Sequence, residues 1–257
     1  MQDRVADIQL DRRGSGQPIW LFHSLLADAG SCAPLATCLA NDFEVFLPDL
    51  PGFGGSATCA PALSEVADRM AAAIRIASGP ATIFGNGYGG FVALTLAVRH
   101  PHLVTRLILA GTAATFPEAG AAQFRAMQAG ARAKGLAGIA DVAMLRLFPT
   151  EVQARLPEIM AERRARFLAT DLDVFAGACG ELARFDFRAN APTLSVPALL
   201  MAGDGDQATP AALAEELSRL MPHARFELLE GCAHLPQLQD PERIAASIVA
   251  FKTPRTL

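Results

Sequence analysis

Residues 81–94 of the chain read ATIFGNGYGGFVAL. The apolar residues at the start are typical of a strand buried on both faces, and the glycines that follow predict a sharp turn. The apolar run after the turn predicts a helix. Gly85 and Gly89 suit a sharp strand-to-helix turn, which brings neighbouring backbone close and leaves no room for Cβ atoms. The segment therefore predicts a strand, a tight turn and a helix in succession.

Length and composition restrict the class of protein. The chain has 257 residues, is 51% hydrophobic and 19% charged, and has a net charge of −4. These values favour one large domain, or one domain with an insertion, and exclude nucleic acid as an expected partner. No apolar stretch approaches the ~20 residues that span a bilayer, so we expect a soluble, cytoplasmic protein with no membrane partner. The five cysteines include no C-x-x-C pair, so neither a disulfide framework nor a metal site is predicted.

Short apolar runs alternate with helical patterns along most of the chain. This alternation is typical of a parallel sheet covered by helices, an α/β fold. Helical spacing is clearest at Leu63–Ala77 and Gly90–Arg99. The candidate strands are Val5–Leu10, Ile19–His23, Glu44–Leu47, Ala81–Phe84, Arg106–Ala110, Ala198–Ala202 and Arg225–Leu229.

Residues 116–187 differ from the rest because nearly all of them follow helical periodicity. We interpret this segment as an insertion of about four helices, a cap or lid over a core formed by residues 1–115 and 188–257. Its arginines are expected on solvated helix faces. They are Arg125, Arg132, Arg146, Arg155, Arg163, Arg164 and Arg166.

Three further segments accompany the glycine-rich turn, in a fixed order. FHSLL at 22–26 ends a candidate strand, GDGDQATP at 203–210 follows a later one, and EGCAHLPQ at 230–237 follows the last. With 81–94, these segments resemble the α/β-hydrolase fold, most closely the small esterases and lactonases of the 3-oxoadipate enol-lactonase type. The turn is similar to the family's nucleophile elbow, G-x-S-x-G, with Gly87 at the position of the serine. The resemblance implies a mostly parallel sheet of about eight strands with flanking helices, a helical cap, and a site between cap and core.

The resemblance also assigns an acid and a base. The family places its acid in a G-x-x-D-x-x-x-P frame, which fits Asp206, with Asp204 as a weaker candidate; either carboxylate could instead cap a turn. Another position that carries the acid in some relatives holds Gly111 in this chain. His234 is the predicted catalytic histidine.

Backbone N–H groups are expected to form an oxyanion hole. The resemblance assigns one donor to Leu25, with Ser24 as the next candidate, and the other to Tyr88, immediately after the elbow position. The expected substrate contacts lie in the cap. They are Phe116, Phe124, Met127, Met144 and Phe148, although an apolar stripe of this kind is more often the cap's own core than a set of substrate contacts.

Gly87 has no side-chain atom that could attack a carbonyl, so an acyl-enzyme at residue 87 is excluded. We therefore expect an enzyme that hydrolyses a small ester or lactone, in which His234, oriented by Asp206, activates water in a single step. The resemblance implies no metal or organic cofactor. The expected partner is a small-molecule substrate, and the chain could be a monomer or a homodimer.

Other interpretations of the missing serine stay open. The His–Asp base could abstract a substrate proton in a lyase, an isomerase or a cofactor-free oxygenase. The glycine could be a Ser→Gly exchange made in a serine esterase, or the protein could be a non-catalytic ligand-binding protein. A substitute nucleophile, Ser24 or Cys59, is a further possibility whose distance from His234 cannot be read from the sequence.

Overall fold

The computed structural model describes residues 2–252. Its eight strands are β1 (Gln2–Val5), β2 (Ile8–Gly14), β3 (Gln17–Phe22), β4 (Phe43–Pro48), β5 (Ala81–Asn86), β6 (Val104–Ala110), β7 (Ala198–Gly203) and β8 (Ala224–Leu229). They form one sheet in the order β1-β2-β4-β3-β5-β6-β7-β8. The pairs β1–β2 and β2–β4 are antiparallel and the other pairs are parallel. The mostly parallel, eight-stranded sheet predicted from the resemblance is confirmed.

Helices connect the strands. They are α1 (Ala33–Leu39), α2 (Leu63–Ala77), α3 (Tyr88–Arg99), α4 (Glu118–Lys134), α5 (Ala140–Leu147), α6 (Thr150–Gln153), α7 (Pro157–Leu168), α8 (Leu172–Ala183), α9 (Ala211–Leu220), α10 (Pro236–Gln239) and α11 (Pro241–Lys252). Across residues 2–252, none of the helices is both long and apolar enough to cross a membrane.

The predicted strand Val5–Leu10 is wrong, because a hairpin turn divides it. Ala6 and Asp7 both have positive φ, 49° and 66°, and join β1 to β2. Two successive residues with positive φ form the tight turn that suits the twist of a hairpin. Ala-Asp lacks the glycine that usually marks such a turn, so no local signal indicated it. The other six candidate strands are confirmed to within two residues at each end.

The centre of the sheet is buried on both faces. Trp20 and Phe22 of β3 belong to one apolar cluster, which also contains residues of α2 and α3. Ile19 and Leu21 point the other way, into a second cluster with residues of α1 and α11. Successive side chains of a strand alternate between faces, so a sheet covered by helices on both sides needs apolar residues at every position. Parallel pairing brings the carboxyl ends of β3, β5, β6 and β7 to the same edge of this sheet.

Five helices, α4 to α8, lie between β6 and β7, where about four were expected. The additional one, α6, is a single turn. In α4, Phe124 and Met127 are buried, and the helix packs against α8. Arg163 of α7 is 1% exposed and pairs at 2.7 Å with Asp28, which lies in the loop after β3. A buried ion pair therefore joins this helical segment, residues 116–187, to the loop after β3.

Candidate active site

The turn after β5 has the form that its glycines predict. Gly87 separates β5 from α3 and has φ 50° and ψ −119°, a conformation that residues with a side chain rarely adopt. A Cβ on Gly85 would collide with the backbone of Gly90, and one on Gly89 would collide with the carbonyl of Phe22. The prediction of a strand, a sharp turn and a helix is confirmed.

His234 and Asp206 form a buried pair beside this turn. His234 Nδ1 lies 2.9 Å from Asp206 Oδ2, and the side chains are 7% and 1% exposed. The other carboxylate oxygen, Oδ1, accepts 2.8 Å hydrogen bonds from the backbone N–H groups of Ala208 and Thr209. Because the carboxylate accepts a hydrogen bond from Nδ1–H, the neutral imidazole presents an unprotonated Nε2 on its opposite side. The arrangement has the geometry of an oriented general base.

Asp204, the weaker acid candidate, lies elsewhere. It is exposed, and its carboxylate accepts a 2.8 Å hydrogen bond from the backbone N–H of Gly231. Gly231 lies near the start of the loop of residues 230–235, which carries His234 and is called the histidine loop. Gly111 lies against the buried pair, where a Cβ would be 3.0 Å from Asp206 Oδ2 and 3.2 Å from His234 Nδ1. Residue 111 therefore contributes no carboxylate and leaves space for the pair.

Asn86, the residue before Gly87, contacts the backbone of His234, which the sequence did not predict. Its amide nitrogen donates to the carbonyl of His234 at 2.8 Å and to the carbonyl of Ala110 at 3.2 Å. Its oxygen accepts from Gln237 Nε2 at 3.1 Å. All of these groups are buried, so the hydrogen bonds fix the backbone of His234 relative to the turn. The sequence signal that could have indicated this role is the polar amide side chain of Asn86 between an apolar strand and the turn at Gly87.

Ser24 reaches the base from the loop after β3. Its Oγ lies 3.3 Å from His234 Nε2, and the residue is 2% exposed. A Cβ added to Gly87 would lie 2.7 Å from Ser24 Oγ and 2.8 Å from His234 Nε2. The Ser24 hydroxyl thus borders the space that a side chain at residue 87 would occupy. The other candidate for a substitute nucleophile, Cys59, is not among the residues that line this space.

His23 holds the backbone of this loop. Its Nε2 accepts a 3.0 Å hydrogen bond from the N–H of Leu50, which leaves Nδ1 to donate to the carbonyl of Ser24 at 2.9 Å. The ring is fully buried, and burial lowers the pKa of His23. These two bonds require the neutral ring, because a protonated Nε2 could not accept from Leu50.

The two expected oxyanion donors face the same space. Leu25 and Tyr88 both line the cavity beside His234. Within residues 2–252, neither backbone N–H donates to a protein acceptor. Tyr88 is the first residue of α3, so the helix dipole adds positive potential at its N–H. Both N–H groups therefore belong to residues that line the cavity and are left without a protein acceptor in the described part of the chain.

The cavity itself is small. The space within it that centres of water molecules can reach is about 30 Å³. Phe116, Phe124 and Met127 line it, as expected for substrate contacts. Met144 and Phe148 do not line it; they are 4% and 0% exposed and pack in the apolar core. Met144 differs from the three lining residues because it lies on the face of α5 that is buried in the core.

Arg146 lines the cavity, contrary to its predicted place on a solvated helix face. Its guanidinium donates to Gln123 Oε1 at 2.6 Å and lies 4.9 Å from the centre of the Phe124 ring. Burial lowers the pKa of Arg146. Helical periodicity missed it because Arg146 is half-buried at the border of the one buried face of α5, where that face meets the cavity. Its position in the apolar run AMLRLF was the available signal.

Comparison with known proteins agrees with this geometry. Residues 13–247 match the model of the alpha/beta hydrolase family. The chain belongs to this family. In members of the alpha/beta hydrolase fold, the residue at the centre of the elbow is the nucleophile, and in this chain that residue is Gly87.

Esterases and lactonases are among the relatives with a named activity. The chain is 33% identical to the pimeloyl-acyl-carrier-protein methyl ester esterase of Aromatoleum aromaticum, over 83% of this chain and 89% of the other. It is 31% identical to 3-oxoadipate enol-lactonase 2 of Acinetobacter baylyi, over 66% and 62%. The crystal structure of the enol-lactonase from Burkholderia xenovorans superposes with a TM-score of 0.86 at 26% identity, over 99% and 100%.

Proposed function

We propose that the protein hydrolyses a small ester or lactone, with His234 as the general base that activates the attacking water and Asp206 as the residue that orients it. The observation that carries the proposal is the buried His234–Asp206 pair, 2.9 Å apart, with Nε2 facing the cavity above Gly87. A protein that only binds a ligand needs no oriented base, so this pair favours an enzyme.

The chemistry follows from the positions of the groups. Nε2 of His234 takes a proton from water as the water oxygen bonds to the carbonyl carbon, and it returns that proton to the leaving alcohol oxygen. Asp206 stabilises the imidazolium that forms between these transfers. The N–H groups of Leu25 and Tyr88 stabilise the negative charge on the carbonyl oxygen. Residue 87 forms no bond to the substrate at any stage.

The lining favours an apolar body next to the reacting carbonyl, with the guanidinium of Arg146 at the same cavity. Phe91, Phe116, Phe124, Met127 and Leu182 surround the space beside His234. The relatives named above act on a methyl ester and on an enol-lactone, which agrees with ester and lactone chemistry for this chain. A short acyl or ring substrate with an apolar body is the class that these residues favour.

The helical segment, residues 116–187, is proposed to act as a cap on a core of residues 1–115 and 188–257. Because centres of water molecules reach only about 30 Å³ of the cavity, binding of an ester is proposed to displace the aromatic residues of this segment that line it. The backbone carbonyl of Leu147 accepts a 3.2 Å hydrogen bond from the N–H of His234. Movement of α5 would therefore shift the backbone of His234.

Turnover of short-chain aryl esters and small lactones tests the proposal, with the products identified by mass. Hydrolysis releases acid and alcohol in equal amounts, or a hydroxy acid from a lactone. A lyase or isomerase acting by proton abstraction would release no hydrolysis product and would exchange a substrate proton with solvent deuterium. Exchange without hydrolysis across the panel would contradict the proposal.

A further inference from the structure

Ser24 is the one hydroxyl that touches the base in the described part of the chain. We infer that Ser24 is the nucleophile of this protein, in place of the absent serine at residue 87. The inference rests on the proposed function, because it needs His234 as a base. Ser24, His234 and Asp206 form a chain of hydrogen bonds of 3.3 and 2.9 Å, with all three residues buried. A catalytic triad is defined by such geometry and by the roles of its members, whatever their order in the sequence.

Gly87 is what allows Ser24 to reach the histidine. A Cβ on residue 87 would lie 2.7 Å from Ser24 Oγ, closer than two such atoms approach. A side chain at residue 87 and the Ser24 hydroxyl in its present position therefore exclude each other. The absence of a side chain at residue 87 is therefore what permits the contact between Ser24 and His234.

The oxyanion donors suit a nucleophile at residue 24. In this fold, one donor is the N–H of the residue after the nucleophile and the other comes from the loop after the strand that corresponds to β3. Leu25 follows Ser24 in the chain as Tyr88 follows Gly87, so a nucleophile at either position has a donor directly after it. With Ser24 as the nucleophile, Leu25 supplies the adjacent N–H and Tyr88 supplies the distant one.

The Ser24 hydroxyl has no competing structural bond. Its loop is held through the backbone, since the carbonyl of Ser24 accepts from His23 Nδ1 at 2.9 Å and from the N–H of Ala27 at 3.2 Å. Within residues 2–252, Oγ contacts no hydrogen-bonding partner other than His234 Nε2. A separation of 3.3 Å is within the range that nucleophile and base show before a substrate tightens the site.

The reaction then has two steps. Ser24 Oγ bonds to the carbonyl carbon while its proton moves to His234 Nε2. The bond from that carbon to the leaving oxygen breaks, and the alcohol departs with the proton from His234. Water next attacks the acyl group on Ser24 and gives a proton to Nε2, and this proton returns to Ser24 Oγ as the acid leaves. The single attack by water expected from the sequence becomes the second step.

Labelling with a fluorophosphonate tests the inference. Attack by Ser24 Oγ on phosphorus expels fluoride and leaves a stable phosphonyl adduct, which intact mass detects and peptide mapping locates. We expect one adduct on Ser24, lost in Ser24→Ala and in His234→Ala, and unchanged in Ser31→Ala, which removes an equally buried serine that does not line the cavity. An adduct on another residue, or no adduct, would overturn the inference.

Ester turnover separates this inference from the proposed function. We expect Ser24→Ala, with an unchanged circular dichroism spectrum, to lose about 10³-fold or more in kcat. Full turnover in Ser24→Ala with loss in His234→Ala would overturn the inference and leave direct attack by water in place. Full turnover in both variants would overturn both proposals. Should Ser24→Ala fail to fold, Ser24→Cys provides the test: an aryl acetate should form a thioester on residue 24, and acetylation elsewhere or not at all counts against the inference.

Discussion

Gly87→Ala tests whether Ser24 and His234 leave no room for a side chain at residue 87. The added methyl group would lie 2.7 Å from Ser24 Oγ and 2.8 Å from His234 Nε2. Gly79→Ala is a matched control: Gly79 also has a positive φ, 69°, but a Cβ there would have nothing within 4 Å. Both changes impose backbone strain, and only Gly87→Ala disturbs the site.

The expected magnitudes follow from these contacts. A side chain at positive φ costs about 1 kcal/mol of stability, so Gly79→Ala should lower Tm by roughly 2–4 °C. Gly87→Ala adds overpacking of about 2 kcal/mol, for a total near 3 kcal/mol and a fall in Tm of roughly 6–12 °C. Moving the imidazole by about 1 Å should lower kcat/KM by about 10²-fold.

Thermal unfolding and steady-state hydrolysis of an aryl ester measure both effects on the same preparations. We expect Gly79→Ala to keep its kcat/KM within about twofold of the parent, as strain remote from the site should. Equal Tm values for the two variants, together with unchanged turnover in Gly87→Ala, would refute the positions assigned to Ser24 and His234.

Three further changes test the surroundings of the site. Asp206→Asn should lower kcat about 10³- to 10⁴-fold with little change in Tm, because an amide can hold the wrong tautomer of His234; unchanged steady-state kinetics would count against the pair. Asp28→Ala leaves the buried Arg163 with Glu162 as a carboxylate partner at 2.7 Å and should cost about 2 kcal/mol in urea unfolding, and a loss below about 0.5 kcal/mol would be inconsistent with the buried ion pair. His23 is kept neutral by burial, which lowers its pKa, whereas the unfolded chain binds a proton near the ordinary pKa of about 6.5. Acidification from pH 7 to pH 5 should therefore destabilise the parent relative to His23→Gln, by at most about 2 kcal/mol, and identical pH profiles would contradict this.

Local pattern in the sequence was sufficient for the elements that carry the site. Buried strands require apolar residues at every position, and the elbow requires glycines, so β5 and the turn at Gly87 could be predicted directly. His234 and Asp206 were identified through the family resemblance, and the structure places them 2.9 Å apart. The hairpin at Ala6 could not be predicted, because Ala6 gives no signal for positive φ and Asp7, which tolerates it, is not followed by the glycine of the usual hairpin turn.

Contacts between distant parts of the chain could not be predicted from local pattern. Ser24 and His234 are separated by 210 positions, and their contact depends on how β3 and the histidine loop meet at the sheet edge. Periodicity shows which side of a helix is apolar, but not which neighbouring element that side faces. Met144 was therefore expected at the cavity and lies in the core, whereas Arg146 was expected in solvent and lies at the cavity.

The most direct measurement is the rate of ester hydrolysis by the parent protein, His234→Ala and His223→Ala, prepared and assayed in parallel. His223 is exposed and lies outside the cavity, so its removal controls for the loss of a histidine. We predict that His234→Ala loses at least about 10³-fold in kcat/KM and that His223→Ala keeps the parent rate. Equal turnover in the His234→Ala variant would contradict the assignment of His234 as the catalytic base.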